Sequence, residues 1–320
     1  MTNARTGMRV KGIPCTLNAG FWIFAAPVAM FIAFFHWYAD ILWHDTGFVY
    51  GLAILVALRG LTWSSQSRLH PLFLRGNAAI GAARLGVIIS VLWSIYVLRF
   101  HADPTLVGYW AWMYFVMAFA ATKFFGQNLA QRFGPRFWLD VYERGNLAAG
   151  IFFGTFTLAT GLIYGGAMWG ELVPGALEYG AMFEVLPGYD DGWWITPWFF
   201  LMGWIVLVAA LYIWIRRERG DFFDRIVRDR SLTDAKAAGY FCIANGITIT
   251  YAVHGNYYGF WDSLLGFSIV ALPILAHEVL RPKQAGESLS RDLEGLTYIA
   301  MSLIGIFVVP WLSTLLGLRI

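Results

Sequence analysis

The stretch Arg144-Gly145-Asn146-Leu147-Ala148-Ala149-Gly150 decides the fold, because no charged residue follows it until Glu171. An uncharged run of that length crosses the roughly 30 Å hydrocarbon core of a bilayer, for which about 20 helical residues suffice. Asparagine suits the cap of a helix, arginine suits the headgroup level, and the Ala/Gly run lets helices approach closely. The stretch therefore reads as the start of a membrane-spanning helix.

Working outward, the same reading extends to the whole chain. Its 320 residues are 58% hydrophobic and only 13% charged, against about 45–50% and about 25% in soluble domains. Mean hydropathy is +0.58. Apolar windows predict an all-α, polytopic membrane protein with nine spans, at about 21–43, 47–62, 77–99, 106–125, 146–168, 194–215, 236–254, 257–280 and 296–317. With the N-terminus cytoplasmic, 20 of the 23 basic residues fall on the cytoplasmic side, as the positive-inside rule requires. An odd number of spans puts the C-terminus outside. The first apolar run is long enough to span and lacks a small-residue cleavage site, so it reads as a span and not a cleaved signal. Two cysteines, Cys15 and Cys242, exclude a disulfide framework and a four-thiolate metal site.

Three stretches align as an internal repeat. Arg75-Gly-Asn-Ala-Ala-Ile-Gly81 opens the third span, Arg144 to Gly150 the fifth, and Thr233-Asp-Ala-Lys-Ala-Ala-Gly239 the seventh, with a faint fourth copy at Arg291-Asp-Leu-Glu-Gly295. The chain divides accordingly: one integral membrane domain over 1–320, an N-terminal span over 1–46, helical hairpins at 47–104, 105–168, 194–256 and 257–320, and an outer-loop insertion at 169–193. The insertion carries five carboxylates among interfacial aromatics and reads as an interface element or a partner-binding lid. Helix starts beside arginines make Arg75, Asn77, Arg144 and Asn146 candidates for holding headgroup phosphates or other anions.

The pattern of basic loop, Arg-Gly-Asn-x-Ala-Ala-Gly and small-residue span resembles the paired-helix bacterial inner-membrane family catalogued as domain of unknown function three-fifty. The match covers Arg75 to Gly86 and Arg144 to Gly154, and it weakens toward the other hairpins. It implies a bacterial inner-membrane location near envelope components and no known reaction. The chain departs from the family in needing four hairpin units, and its third copy lacks the asparagine.

Candidate chemistry collects at the outer face. His36, Asp40 and His44 share one helical stripe, but the two histidines stand about 12 Å apart along it, so Asp40 with one of them would need help from another span. His101 and His254 follow outward-running spans and could supply it. Imidazole with carboxylate suits zinc, copper or iron. Arg84 is the one basic residue well inside a span, a candidate for snorkelling, pairing with carbonyls or a binding role. Lys123 reads as an interface anchor at the cytoplasmic end of its span.

No complete catalytic motif is present. The expected function is therefore a scaffold or channel-like subunit of an envelope complex, working with the lipid bilayer and with other membrane subunits or further copies of itself, and with no nucleic acid. The alternatives are a subunit of a membrane metalloenzyme or oxidoreductase with the outer-face metal site, and a secondary transporter, which the scarcity of intramembrane acids disfavours.

Overall fold

The computed structural model describes residues 77–102, 109–170, 195–218, 221–254 and 288–316, all within one compact unit, Phe73–Ile320. The expected spans at 21–43, 47–62 and 257–280 lie outside the described residues, as do the 169–193 insertion beyond Gly170 and the site candidates His36, Asp40, His44 and Arg75.

Every described element is helical, and there is no strand among them. In chain order they are α1 (Ala78–Phe100), α2 (Tyr109–Ala121), α3 (Leu147–Met168), α4 (Ile195–Arg217), the short α5 (Phe222–Val227), α6 (Leu232–Ala252) and α7 (Ser288–Leu316). Between α2 and α3 the chain winds through a π-helical turn, Thr122–Asn128, a 3-10 turn, Leu129–Phe133, and a second π-helical turn, Phe137–Glu143. The helices α1, α3 and α4 are long and apolar enough to cross a membrane.

Small residues set the packing. A Cβ on Gly86 would lie 2.0 Å from the carbonyl oxygen of Gly154, and one on Gly150 would lie 2.3 Å from that of Ala79. Backbone therefore touches backbone along α1 and α3, a closeness that only residues without side-chain bulk permit. Higher up the pair, Ser90 Oγ donates to the carbonyl of Thr157 (3.3 Å), and Trp93 Nε1 donates to that of Leu162 (3.2 Å). At the far end His101 stacks on Trp169, with ring centroids 3.7 Å apart. Contacts that rise together in both sequences make α1 and α3 parallel.

The arrangement continues. Gly239 and Gly246 of α6 face Thr155 and Ala159 of α3, and Gly166 of α3 faces Thr250 of α6. Tyr240 and Phe241 of α6 then meet Gly295 and Tyr298 of α7. Four helices thus run parallel, each against the next, in the order α1, α3, α6, α7. Helix α4 runs the other way against α3 and α6: Gly203, near its start, abuts Ile163 and Ile249 near their ends. The ring of Phe125, from the first π-helical turn, meets Phe200 and Trp204 of α4 edge-on, with centroids 5.1 Å away in each case. As the middle of the row, α3 has most of its side chains buried.

Helix boundaries follow the expected ones closely where a cap lies in the sequence. The third aligned copy is the exception. Its helix starts at Leu232 behind the cap Ser231, so the position equivalent to Asn146 is Ser231, one helical turn before the Ala235 of the sequence alignment. The run Ala235 to Gly239 is small at every turn, and a four-residue shift leaves such a pattern almost unchanged. In the fourth copy, Arg291 sits inside α7 and is only 9% exposed, so its role is internal and not that of a headgroup anchor.

Candidate functional site

The Arg-Gly-Asn stretch builds the joint between consecutive parallel helices. Asn146 Oδ1 accepts from the backbone N–H groups of Ala148 (3.0 Å) and Ala149 (3.3 Å), satisfying donors that the first turn of α3 cannot pair within the helix. Its Nδ2 donates to the carbonyls of Ile226 (2.8 Å) and Val227 (3.2 Å) at the end of α5. Asn77 does the same at the start of α1: Oδ1 accepts from Ala79 and Ile80, and Nδ2 donates to the carbonyls of Val141 (3.1 Å) and Tyr142 (3.3 Å). One side chain satisfies both ends of a joint, two orphan helix-start donors and two carbonyls of the following turn.

The preceding glycine has a backbone reason. Gly145 adopts φ +59, the left-handed region that costs an L-residue about 1–2 kcal/mol. Arg144 places Nη1 3.0 Å from Oδ1 of Asp140, whose Oδ2 accepts from the Arg136 N–H (2.7 Å). Asp140 is 1% exposed. With two N–H donors of each helix start taken by an asparagine oxygen and Arg144 engaged with Asp140, Asn77, Arg144 and Asn146 all take part in holding a protein joint together.

The joint before α6 is built from charge. Ser231 caps through Asp234 N–H (3.3 Å). Arg225 places Nε 2.9 Å from Oδ2 of Asp234, and Arg291 of α7 reaches Oδ1 of the same carboxylate (2.9 Å) and Oε2 of Glu218 at the end of α4. Glu218, Asp234 and Arg291 are all buried. Hydrogen bonding to Asp234 raises the Arg225 guanidinium above its ordinary range, against the opposing effect of partial burial. The network ties the end of α4, α5, α6 and the start of α7. Sequence reasoning quoted Asp234 and Arg291 only as members of the aligned repeat and did not single out Glu218 or Arg225. The available signal was weak: Glu218 and Asp234 are two of five acids, with Asp221, Asp224 and Asp229, in the basic stretch from Arg216 to Lys236.

The two described histidines of the suggested metal set, His101 and His254, are engaged in local packing. His101 stacks on Trp169, and its Nε2 lies 2.9 Å from the Tyr96 hydroxyl. The His254 ring meets Tyr251 edge-on, with centroids 4.7 Å apart. Among the described residues no group of three His, Cys, Asp or Glu side chains could hold a metal ion. The other members of the suggested set, His36, Asp40 and His44, fall outside the described residues.

Deeper in the bundle, Lys123 Nζ donates to Gln127 Oε1 (2.6 Å) within the first π-helical turn. No protein-family model matches the chain, and no curated protein or solved structure is detectably similar to it.

Proposed function

We propose that the chain is an integral membrane protein of tandem helical hairpins that serves as a scaffold or channel-like subunit of an envelope complex. The observation that carries this reading is the pair of asparagine joints. Asn77 and Asn146 make the same four hydrogen bonds at successive parallel helices, so buried polar chemistry here is spent on holding helix to helix. Backbone contact through small residues is how helices associate where lipid removes the hydrophobic drive between them. The exposed face of α1, with Leu85, Ile88, Leu92, Ile95 and Phe100, suits lipid, since apolar stripes of that extent are uncommon on soluble monomers.

In this reading the helices α1, α3, α6 and α7 leave a cytoplasmic surface that carries most of the arginines, and the membrane is a bacterial inner membrane, as the resemblance to the family of domain of unknown function three-fifty implies. Orientation is tested with single cysteines at Arg228 and Gly180 in a chain whose Cys15 and Cys242 are replaced. An impermeant maleimide added to whole cells should label position 180 and spare 228, and labelling of both would end the assignment. Function is tested by purifying the full chain in detergent. Metal-free protein that co-purifies with a fixed membrane partner supports the subunit reading; stoichiometric metal that disappears in a His44→Ala or His101→Ala variant would replace it with the metalloenzyme.

A further inference from the structure

We propose that Arg132, Arg136 and Arg230, which border α5, form a docking surface for the headgroup phosphate of an anionic phospholipid, at the membrane boundary where the parallel helices start. The inference begins with the charges at that end of the bundle. Arg144 is held by Asp140, Arg228 by Asp224, and both Arg225 and Arg291 by Asp234. Asp221 caps α5 by accepting from the Asp224 N–H. Arg132, Arg136 and Arg230 are exposed. Among the described residues no carboxylate, not even Asp229 beside Arg230, forms an ion pair with any of the three.

Packing brings the three to one short helix. A Cβ on Gly134, between Arg132 and Arg136, would lie 3.2 Å from Phe223 Cβ in the first turn of α5, and the Phe133 and Phe223 rings stand 5.8 Å apart. Arg230 follows the other end of α5, three residues past Val227. A six-residue helix is about 9 Å long, so the three guanidinium groups border one small area. Each offers a planar fork that matches phosphate oxygens.

Arg230 carries a further mark. Its φ is +53, a conformation that glycine adopts freely and an arginine does not. Gly145 fills the equivalent position in the preceding joint, so the backbone asks for glycine here as well. A strained residue kept at an exposed position indicates a use for its side chain outside the fold.

The neighbouring side chains choose the partner. Trp138, two residues from Arg136, is 41% exposed, and Leu232, two residues from Arg230, is 43% exposed. The Trp138 indole stacks on Tyr142 with centroids 4.4 Å apart and donates its N–H to Glu143, which fixes it at the surface. Cations beside exposed tryptophan and leucine suit a bilayer interface, with charge at the phosphate level and apolar groups against the acyl boundary. An acidic peptide would need the arginines and leave the tryptophan and leucine in water.

The surface rests on the membrane reading, which would fail separately and visibly, by recovery of the chain from washed cells without detergent. The test is native mass spectrometry of the full-length protein in a nonionic detergent with equimolar phosphatidylglycerol and phosphatidylcholine, reading the ratio of the two bound lipids. The unsubstituted chain should favour phosphatidylglycerol. Arg132→Gln, Arg136→Gln and Arg230→Gly should each lower the ratio about fivefold, the contribution of one arginine near an anionic surface. Arg230→Gly relieves the strained φ, so lipid lost in that variant is not lost through the fold. Arg230→Lys should keep most of the preference, and Arg99→Gln, at an exposed arginine near the far end of α1, all of it. No preference in the unsubstituted chain, a preference that survives the three substitutions together, or an equal loss in Arg99→Gln would each overturn the proposal. Capture of polyglutamate through the same arginines, without a lipid preference, would overturn it in favour of an acidic protein partner.

Discussion

The turn before α3 and the turn before α6 follow one backbone path with different chemistry. In the first, the Asn146 N–H donates to the Asp140 carbonyl (2.8 Å); in the second, the Ser231 N–H donates to the Arg225 carbonyl (3.1 Å), also six residues back. The residue before each cap is left-handed, Gly145 at φ +59 and Arg230 at φ +53. The side chains diverge at the cap. Asn146 has an acceptor for its own helix and a donor for the next turn, whereas Ser231 caps Asp234 and the link onward is made by Arg291 with Asp234 and Glu218. The difference teaches that the turn is set by local backbone requirements, while the tie to the neighbouring helix is interchangeable between an amide and a buried ion network.

The comparison breaks most readily at its charged member. Arg291→Met should destabilise the protein by about 3–5 kcal/mol, because it strips an opposing charge from two buried carboxylates. Adding Glu218→Gln and Asp234→Asn should recover much of the loss, and a denaturant titration of the detergent-solubilised chain would measure both. A loss that the double neutralisation fails to relieve would mean that Arg291 acts through packing.

Next comes the amide. Asn146→Ala should cost about 3 kcal/mol, the loss of a cap together with two carbonyls left without their donor. Asn77→Ala should cost less, about 2 kcal/mol by the same reasoning, since Asn77 is only half-buried whereas Asn146 is 1% exposed. The same titration on both variants ranks them, and equal losses would show that burial of the joint contributes nothing.

The left-handed positions sharpen the comparison with opposite signs. Gly145→Ala should destabilise by about 1–2 kcal/mol, because the added Cβ is strained at that φ. Arg230→Gly should stabilise by up to about 1 kcal/mol, relieving the same strain at the cost of a more flexible unfolded chain. Opposed shifts in Tm would establish that the two turns share one backbone demand, and a fall in both variants would separate them.

Much of this was legible in the residues. The helix starts at Asn77 and Asn146 were readable because capping joins neighbours in sequence. The need for Gly145 was not readable from spacing alone, since a glycine beside a helix start serves several turns. The start of α6 at Ser231 was not readable from the small residues, because Ala235 and Gly239, one turn apart, offer the same small face. The π-helical turn after α2, which carries the chain on beside α3 so that Gly126 meets Thr157, was not readable, since an apolar window does not distinguish a π-helical turn from an α-helix.

The sequence by itself determined the helical class, the three long apolar helices and the capped starts of α1 and α3, because desolvation and backbone capping depend on residues close in the chain. Only the tertiary structure decided that Asn146 reaches Ile226 and Val227 and that Glu218 meets Arg291. Those pairings join residues from different helices. Their energies come from burial and charge shared across a gap, and nothing within one helix specifies which neighbour stands on the other side.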